Sequence, residues 1–233
     1  MQFEPYDNYE HYDHYEREAQ VAAFMTRTYV WMVMGLIVCA LASYLPILDP
    51  AVATFVFMGN GLIISTAAMF IIVIAFPFLV RSRTPFFVML LLYMLFTGAT
   101  GIMISMVHLL YSQELILIAL GATGGLFVIM AVWGTVTKKD LTGAGALLSM
   151  ALLGIIITSV LNFWIRSPFI YYLVSWVAIV VFMGLIAYDA QKLRDYAHKG
   201  DGYALLGAMG LFLNFINLFL RILQVLARAK GRR

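Results

Sequence analysis

Seven apolar stretches, each long enough to cross a lipid bilayer, dominate what this chain can become. They cover 27–47, 58–80, 85–107, 114–137, 143–165, 169–191 and 203–227. About 20 residues of helix span the hydrocarbon layer. Of the 233 residues, 63% are hydrophobic and only 12% are charged, more apolar surface than a soluble domain can hide. The reading is an all-α integral membrane protein with seven transmembrane helices. Pro46, Pro85 and Pro168 stand at span edges, where proline is best tolerated, and Pro77 lies inside the second span, where a kink is expected. The connections are short apart from 48–57 and 192–202, so residues 26–233 form one transmembrane domain with no inserted soluble domain. An acidic soluble tail rich in Tyr and His, residues 1–25, precedes it.

Several function classes fall away at once. A formal net charge of +3, with basic residues singly or in pairs between apolar runs, gives no case for nucleic-acid binding. Cys39 is the only cysteine, which excludes an intrachain disulfide and a cysteine metal cluster. No cleavable signal peptide is expected, because the first apolar run begins near Thr28 and no basic segment opens the chain. In the tail, His11-Tyr-Asp-His14 with Asp7, Glu10 and Asp13 could hold a metal weakly; the bland reading is a solvated or partly helical arm.

Basic residues set orientation. Arg17, Arg27, Arg81, Arg83, Lys138, Lys139, Lys192, Arg194 and Lys199 fall on one side, against Arg166 in the loops of the other. A cytoplasmic N-terminus follows. Seven spans then carry Arg228, Lys230, Arg232 and Arg233 outside, against the same rule, unless the last span crosses only in part.

The last span holds the strongest internal pattern. Gly210, Asn214, Asn217, Arg221, Gln224 and Arg228 recur at steps of four and three, so they share one face of a helix. Nothing in lipid can hydrogen-bond such a stripe, so it should face protein or water inside the bundle. Asp189 belongs with it. Asp189 and Asn214 each lie about 12 residues, or roughly 18 Å of helix, from the turn signal Gly200-Asp-Gly202. In an antiparallel hairpin they would stand at one height and touch.

Asp189 is the only acidic residue inside a late span. A carboxylate there costs about 2.5–3.5 kcal/mol to insert, which makes an ion path or proton relay the functional reading. A structural ion pair at the cytoplasmic rim, with Lys192 three residues on, is the alternative. Arg81 or Arg83 could serve as its counter-ion, or simply mark topology. His108 ends the third span on the outer side and reads as an interface residue. Gly98, Gly101, Gly121, Gly124, Gly125, Gly207 and Gly210 lie within spans and mark close helix contacts. The Gly121–Gly125 spacing suits dimerisation, but packing within one bundle is the simpler account. Zinc-protease, serine–histidine, retinal-lysine and phosphate-loop signatures are absent, so no enzyme and no resident cofactor are expected.

Two segments carry a family resemblance. Ala187-Tyr-Asp-Ala-Gln-Lys-Leu193, and Leu-Phe-Leu-Asn-Phe-Ile-Asn-Leu-Phe within Ala208–Leu220, resemble the paired signatures of the Bax inhibitor-1 family, also called TMBIM. Phe96-Thr-Gly98 is similar to a third segment. Lys138-Lys-Asp-Leu141 and Leu161-Asn-Phe-Trp164 resemble bacterial members, in which the location is the cell inner membrane. The resemblance implies a last helix at the centre of six others, and a calcium leak tuned by pH. In the family two aspartates, one on each of the last two helices, share a proton, and a basic residue near the end of the second helix pairs with them. Asp189 matches the first aspartate and Arg81 the basic residue. Asn214 stands where the second aspartate is expected, and asparagine cannot ionise.

Three readings follow. The first is a membrane cation pathway with calcium as substrate, the ion path formed by Asp189, Asn214 and Arg81 and supported by Asn217, Arg221 and Gln224. Asp189 would be the calcium-contacting residue. With an amide and a guanidinium beside it, Asp189 is expected to keep its charge across physiological pH. The second is an interaction protein that modulates a membrane protease or a stress or cell-death response without transport. An enzyme is the weakest. Oligomeric state is open.

Overall fold

The structure, a computed structural model, describes residues 6–231, with side chains from Tyr15 onward. The His11–His14 motif with Asp7, Glu10 and Asp13 therefore lies outside the described side chains, and Arg232 and Arg233 lie outside the described residues.

Among the described residues every long element is an α-helix and there is no strand. The seven long helices are α1 (Tyr6–Leu48), α2 (Gly61–Arg81), α3 (Phe86–Ile104), α4 (Gln113–Val136), α5 (Thr142–Ile165), α6 (Pro168–Tyr196) and α7 (Asp201–Lys230). All seven include a stretch long and apolar enough to cross a membrane. Short helical pieces over 50–58 and 107–110 fill the connections at one end. The helices overrun the apolar spans because Lys, Arg, Gln and Glu remain good helix formers past the hydrocarbon edge. α1 runs unbroken through residues 6–25, and α2 is continuous through Pro77. Helix starts have local causes. The Ser112 hydroxyl accepts the Leu115 N–H at 3.4 Å, and the Ser167 hydroxyl accepts the Ile170 N–H at 3.4 Å with Pro168 as first helical residue.

Burial separates the helices. Ile63, Ile71, Leu147 and Ile157 are among many large apolar side chains facing outward from α2 and α5. Water would penalise such a surface, whereas lipid matches it. In its most apolar window α5 is 11% buried, whereas α7 is 67% buried. α7 packs chiefly against α6, α1 and α4, and more lightly against α3 and α2, while α5 docks on α6. Phe212 and Phe215 of α7 meet Phe96 and Phe127 edge-on, at 5.5 and 5.6 Å between ring centres.

The two ends of α7 reach opposite faces of the bundle. Its first residue, Asp201, pairs with Arg27 of α1, and Gly202 lies against Met89 and Val80, beside the α2–α3 connection. At the far end Lys230 Nζ meets Glu114 at the start of α4 at 3.0 Å, and the Arg228 guanidinium donates to the Pro168 carbonyl at 2.8 Å. Thirty residues of helix measure about 45 Å, the thickness of a bilayer with its headgroups. The last helix thus runs the full depth of the bundle.

Glycine spacing misleads in one place. A Cβ at Gly134 would run into the Ala187 backbone, so α4 and α6 touch main chain to main chain. Gly121, Gly124 and Gly125 have nothing within 4 Å of an added Cβ. The expected close packing within the bundle is corrected there: these three face open space, on the outward side of α4.

Candidate functional site

The hairpin of α6 and α7 builds the site. Gly200 turns the chain with φ of 98°, a left-handed conformation that glycine adopts without strain. α6 formally ends at Tyr196, but Ala197 and Lys199 still bond back to the Arg194 and Tyr196 carbonyls. Helical rise therefore continues almost to Gly200, which keeps the two arms nearly matched. Asp189 and Asn214 meet as a result. Asn214 Nδ2 donates to Asp189 Oδ2 at 2.6 Å, a short hydrogen bond. One turn earlier on α7, an added Cβ at Gly210 would stand 3.4 Å from the same oxygen. The carboxylate rests against bare helix backbone. Asn214 is buried, Asp189 is half-buried, and Ala187 and Ala190 on either side of Asp189 are fully buried.

Arg81 is not part of this contact. It is the exposed last residue of α2 and makes no ion pair with Asp189 among the described residues; Arg83, in the following loop, makes none either. The cause is height. Val80 lies beside Gly202, and Asn214 is 12 residues further along α7, about 18 Å away. An arginine side chain at the bundle's end does not span that. The cation acting on Asp189 is Lys192, one turn on in the same helix, its ammonium 5.5 Å from the ring centres of both Tyr188 and Tyr196. Of the two groups expected to keep Asp189 charged, the amide is in place and the guanidinium is not.

The rest of the stripe divides. Asn217 spends its amide on the Leu213 carbonyl of its own helix at 2.8 Å. The Arg221 guanidinium and the Ser175 hydroxyl both reach Gln224 Oε1, at 3.2 and 3.5 Å. Arg228 lies over the Tyr172 ring, 5.1 Å from its centre. His108 stands apart. Its Nε2 is 3.0 Å from the Ser43 hydroxyl and its Nδ1 is 3.3 Å from Gln113 Nε2, with the Tyr44 ring 4.2 Å away. These bonds tie α1 to the start of α4.

Gln191 was not singled out, yet it holds the neighbouring loop. Its Oε1 accepts the Leu141 N–H and its Nε2 donates to the Lys139 carbonyl, both at 2.8 Å. Its place two residues after Asp189, inside the first signature segment, was the available signal. Chemically the site offers one carboxylate and, since Asn214 donates through nitrogen, one amide oxygen. Calcium takes six to eight oxygens, and among the described residues no three His, Cys, Asp or Glu side chains group closely enough to hold a metal ion. The geometry suits a contact made in passing better than a cage.

Comparison with known proteins shows the family. The family model described as "Inhibitor of apoptosis-promoting Bax1" matches residues 21–231. The chain belongs to the Bax inhibitor-1 family. It is similar to the inner membrane protein YbhL of Escherichia coli K12, with 34% identity covering 89% of this chain and 92% of that one. A protein of Deinococcus radiodurans shares 31% identity over 88% of this chain and 90% of its own length, and one of Borreliella burgdorferi 30% over 89% and 93%. This member of the family carries Asp189 hydrogen-bonded to an asparagine.

Proposed function

We propose that this Bax inhibitor-1 protein is a passive cation pathway, with calcium as its substrate, and that Asp189 is the residue the ion meets. The observation that carries the reading is the Asp189–Asn214 contact inside the α6–α7 hairpin, with the carboxylate left without an arginine partner among the described residues. An intramembrane acid is costly to insert, so its presence there points to a function. Asn214 fixes the carboxylate and adds no second negative charge, so the proton-sharing pair of the family is replaced by an acid and an amide. The protein acts without catalysis and needs no resident cofactor.

As with the protein whose name places it in the inner membrane of Escherichia coli, the proposed location is the inner membrane. The N-terminus is cytoplasmic. Arg27, Arg81, Arg83, Lys138, Lys139, Lys192, Arg194 and Lys199 gather at the end bearing the α6–α7 turn, with Arg166, Arg228 and Lys230 at the other. A reporter fused after Lys139 should read as cytoplasmic and one after His108 as external; the reverse pattern overturns the orientation.

The test of function is calcium uptake into liposomes containing the purified protein. Uptake above that of empty liposomes, and about tenfold lower in Asp189→Asn, is expected. No uptake, together with a membrane protease or another protein that co-purifies, would move the protein to the interaction class.

A further inference from the structure

We propose that a cavity between α5, α6 and α7, at the end opposite the Asp189 site, binds a small anion through Arg221, Tyr171, Asn162 and Ser159. The cavity holds about 90 Å³, is largely enclosed, and is lined by these four residues and Val174. One water needs about 10–15 Å³ of such space, so there is room for a halide or a phosphate-sized group with water, and none for a sugar or nucleotide.

Its chemistry is cationic. Arg221 sits within a membrane-crossing helix, nine residues before the end of α7, and is half-buried. An arginine in such a place ordinarily has a carboxylate beside it, because an uncompensated charge in low dielectric is expensive. Among the described residues Arg221 has none. Its one hydrogen bond is to the Gln224 oxygen, at 3.2 Å, and that oxygen is already shared with Ser175. The lining also supplies donors. Asn162 spends its side-chain oxygen on the Ser167 N–H at 3.0 Å, which leaves its NH₂ for the cavity. The Ser159 hydroxyl is buried with no hydrogen-bond partner among the described residues. A buried polar atom without a partner calls for a missing one. A guanidinium, an amide NH₂ and two hydroxyls can all donate to a negative group, and the guanidinium repels a cation. A free inorganic anion and the phosphate of an anionic lipid share that chemistry, and both can reach this end of the bundle.

The experiment uses the full-length protein in lipid-free micelles and reads the thermal midpoint at constant ionic strength in sodium gluconate, sodium chloride or sodium phosphate. Gluconate is too large for the cavity. A rise of about 3 °C in chloride or phosphate is expected at saturation, lost in Arg221→Gln and largely kept in Arg221→Lys. If Arg221→Gln does not fold, Ser159→Leu serves, since it fills the space and leaves the charge. The second arm is native mass spectrometry after exchange into mixed phosphatidylglycerol and phosphatidylcholine. Phosphatidylglycerol retained by the unmodified protein, and reduced about tenfold in Arg221→Gln or Ser159→Leu, would assign the site to a lipid phosphate. A midpoint response without retention would assign it to a free anion. Absence of both, or responses unchanged in Ser159→Leu and Arg221→Gln, overturns the proposal. Calcium uptake is not part of either readout, so failure here leaves the cation reading standing.

Discussion

The polar stripe on α7 is one pattern in the sequence and two different places in the molecule. Around Asp189 the helices touch closely: α4 and α6 meet backbone to backbone at Gly134 and Ala187, and Gly210 lies against the carboxylate. Around Arg221 they stand apart and leave a polar cavity. The first place is acidic and has no arginine partner; the second is cationic and has no carboxylate partner, among the described residues. A constant helical period therefore fixes which residues share a face, but the neighbouring helices decide whether that face is packed or open. Arg221 is seven positions beyond Asn214, about 10 Å along the helix, so the two places act independently in packing but lie within electrostatic reach.

The packing difference should give the largest effect. Gly134→Ala puts a methyl group into the Ala187 backbone, where no rotamer change can help. It should cost about 1–3 kcal/mol, as overpacking does. Gly154→Ala lies on α5, the helix that supplies Ser159 and Asn162, and nothing stands within 4 Å of its added Cβ. It should be neutral or slightly stabilising, since alanine favours helix. Thermal unfolding of both variants under one condition measures the contrast. Equal midpoints would mean that the two regions do not differ in tightness.

The charge difference comes next. Asp189→Asn keeps the shape and the hydrogen-bonding capacity but removes the negative charge, and should lower calcium uptake about tenfold, equivalent to roughly 1.4 kcal/mol. Arg221→Gln removes a positive charge from the same face and should not lower uptake. If both variants lose uptake alike, the stripe is a single path and the division drawn here is wrong.

A third substitution converts the acid–amide contact into the aspartate pair that the family resemblance implies. Asn214→Asp puts two carboxylates in contact, and such a pair shares a proton and titrates in two steps. Uptake should then change by about threefold or more between pH 6 and 8, more steeply than in the unmodified protein. A response no steeper than the unmodified one would show that the contact between positions 189 and 214 does not govern the path.

How far the sequence reached depends on whether the deciding information was local. The seven helices follow from run length, and the Asp189–Asn214 contact follows from a turn signal and a fixed rise per residue. Arg81 was beyond reach because matching a family position says nothing of height: the residue is real, but it stands at the end of the bundle. Gly121 and Gly125 show the same weakness, since a spacing of four looks alike whether the helix face meets protein or open space. Gly134 gave no pattern at all, its importance lying in a partner more than fifty residues away. The cavity was invisible for that reason too. Ser159 and Asn162 belong to another helix, and no periodicity links them to Arg221.

The smallest expected effect lies at the ends of α7, where the contrast should vanish. Arg27 with Asp201 and Lys230 with Glu114 are both ion pairs between exposed side chains. Water screens such pairs, and ordering two long side chains offsets most of the attraction, so each is worth about 0–1 kcal/mol. Asp201 gains a little more from standing in the first turn of α7, where the helix dipole favours an acid, and Lys230 likewise from the last turn. Arg27→Gln and Lys230→Gln should each shift the unfolding midpoint by less than about 3 °C, and the shifts should shrink as salt is raised toward 1 M, where the screening length falls to about 3 Å. The two pairs should behave alike although they sit at opposite faces of the bundle, because exposure rather than position sets their strength. A large, salt-resistant loss at one end only would mean that this end is shielded from water in the membrane, and that the asymmetry of α7 extends from its middle to its tip.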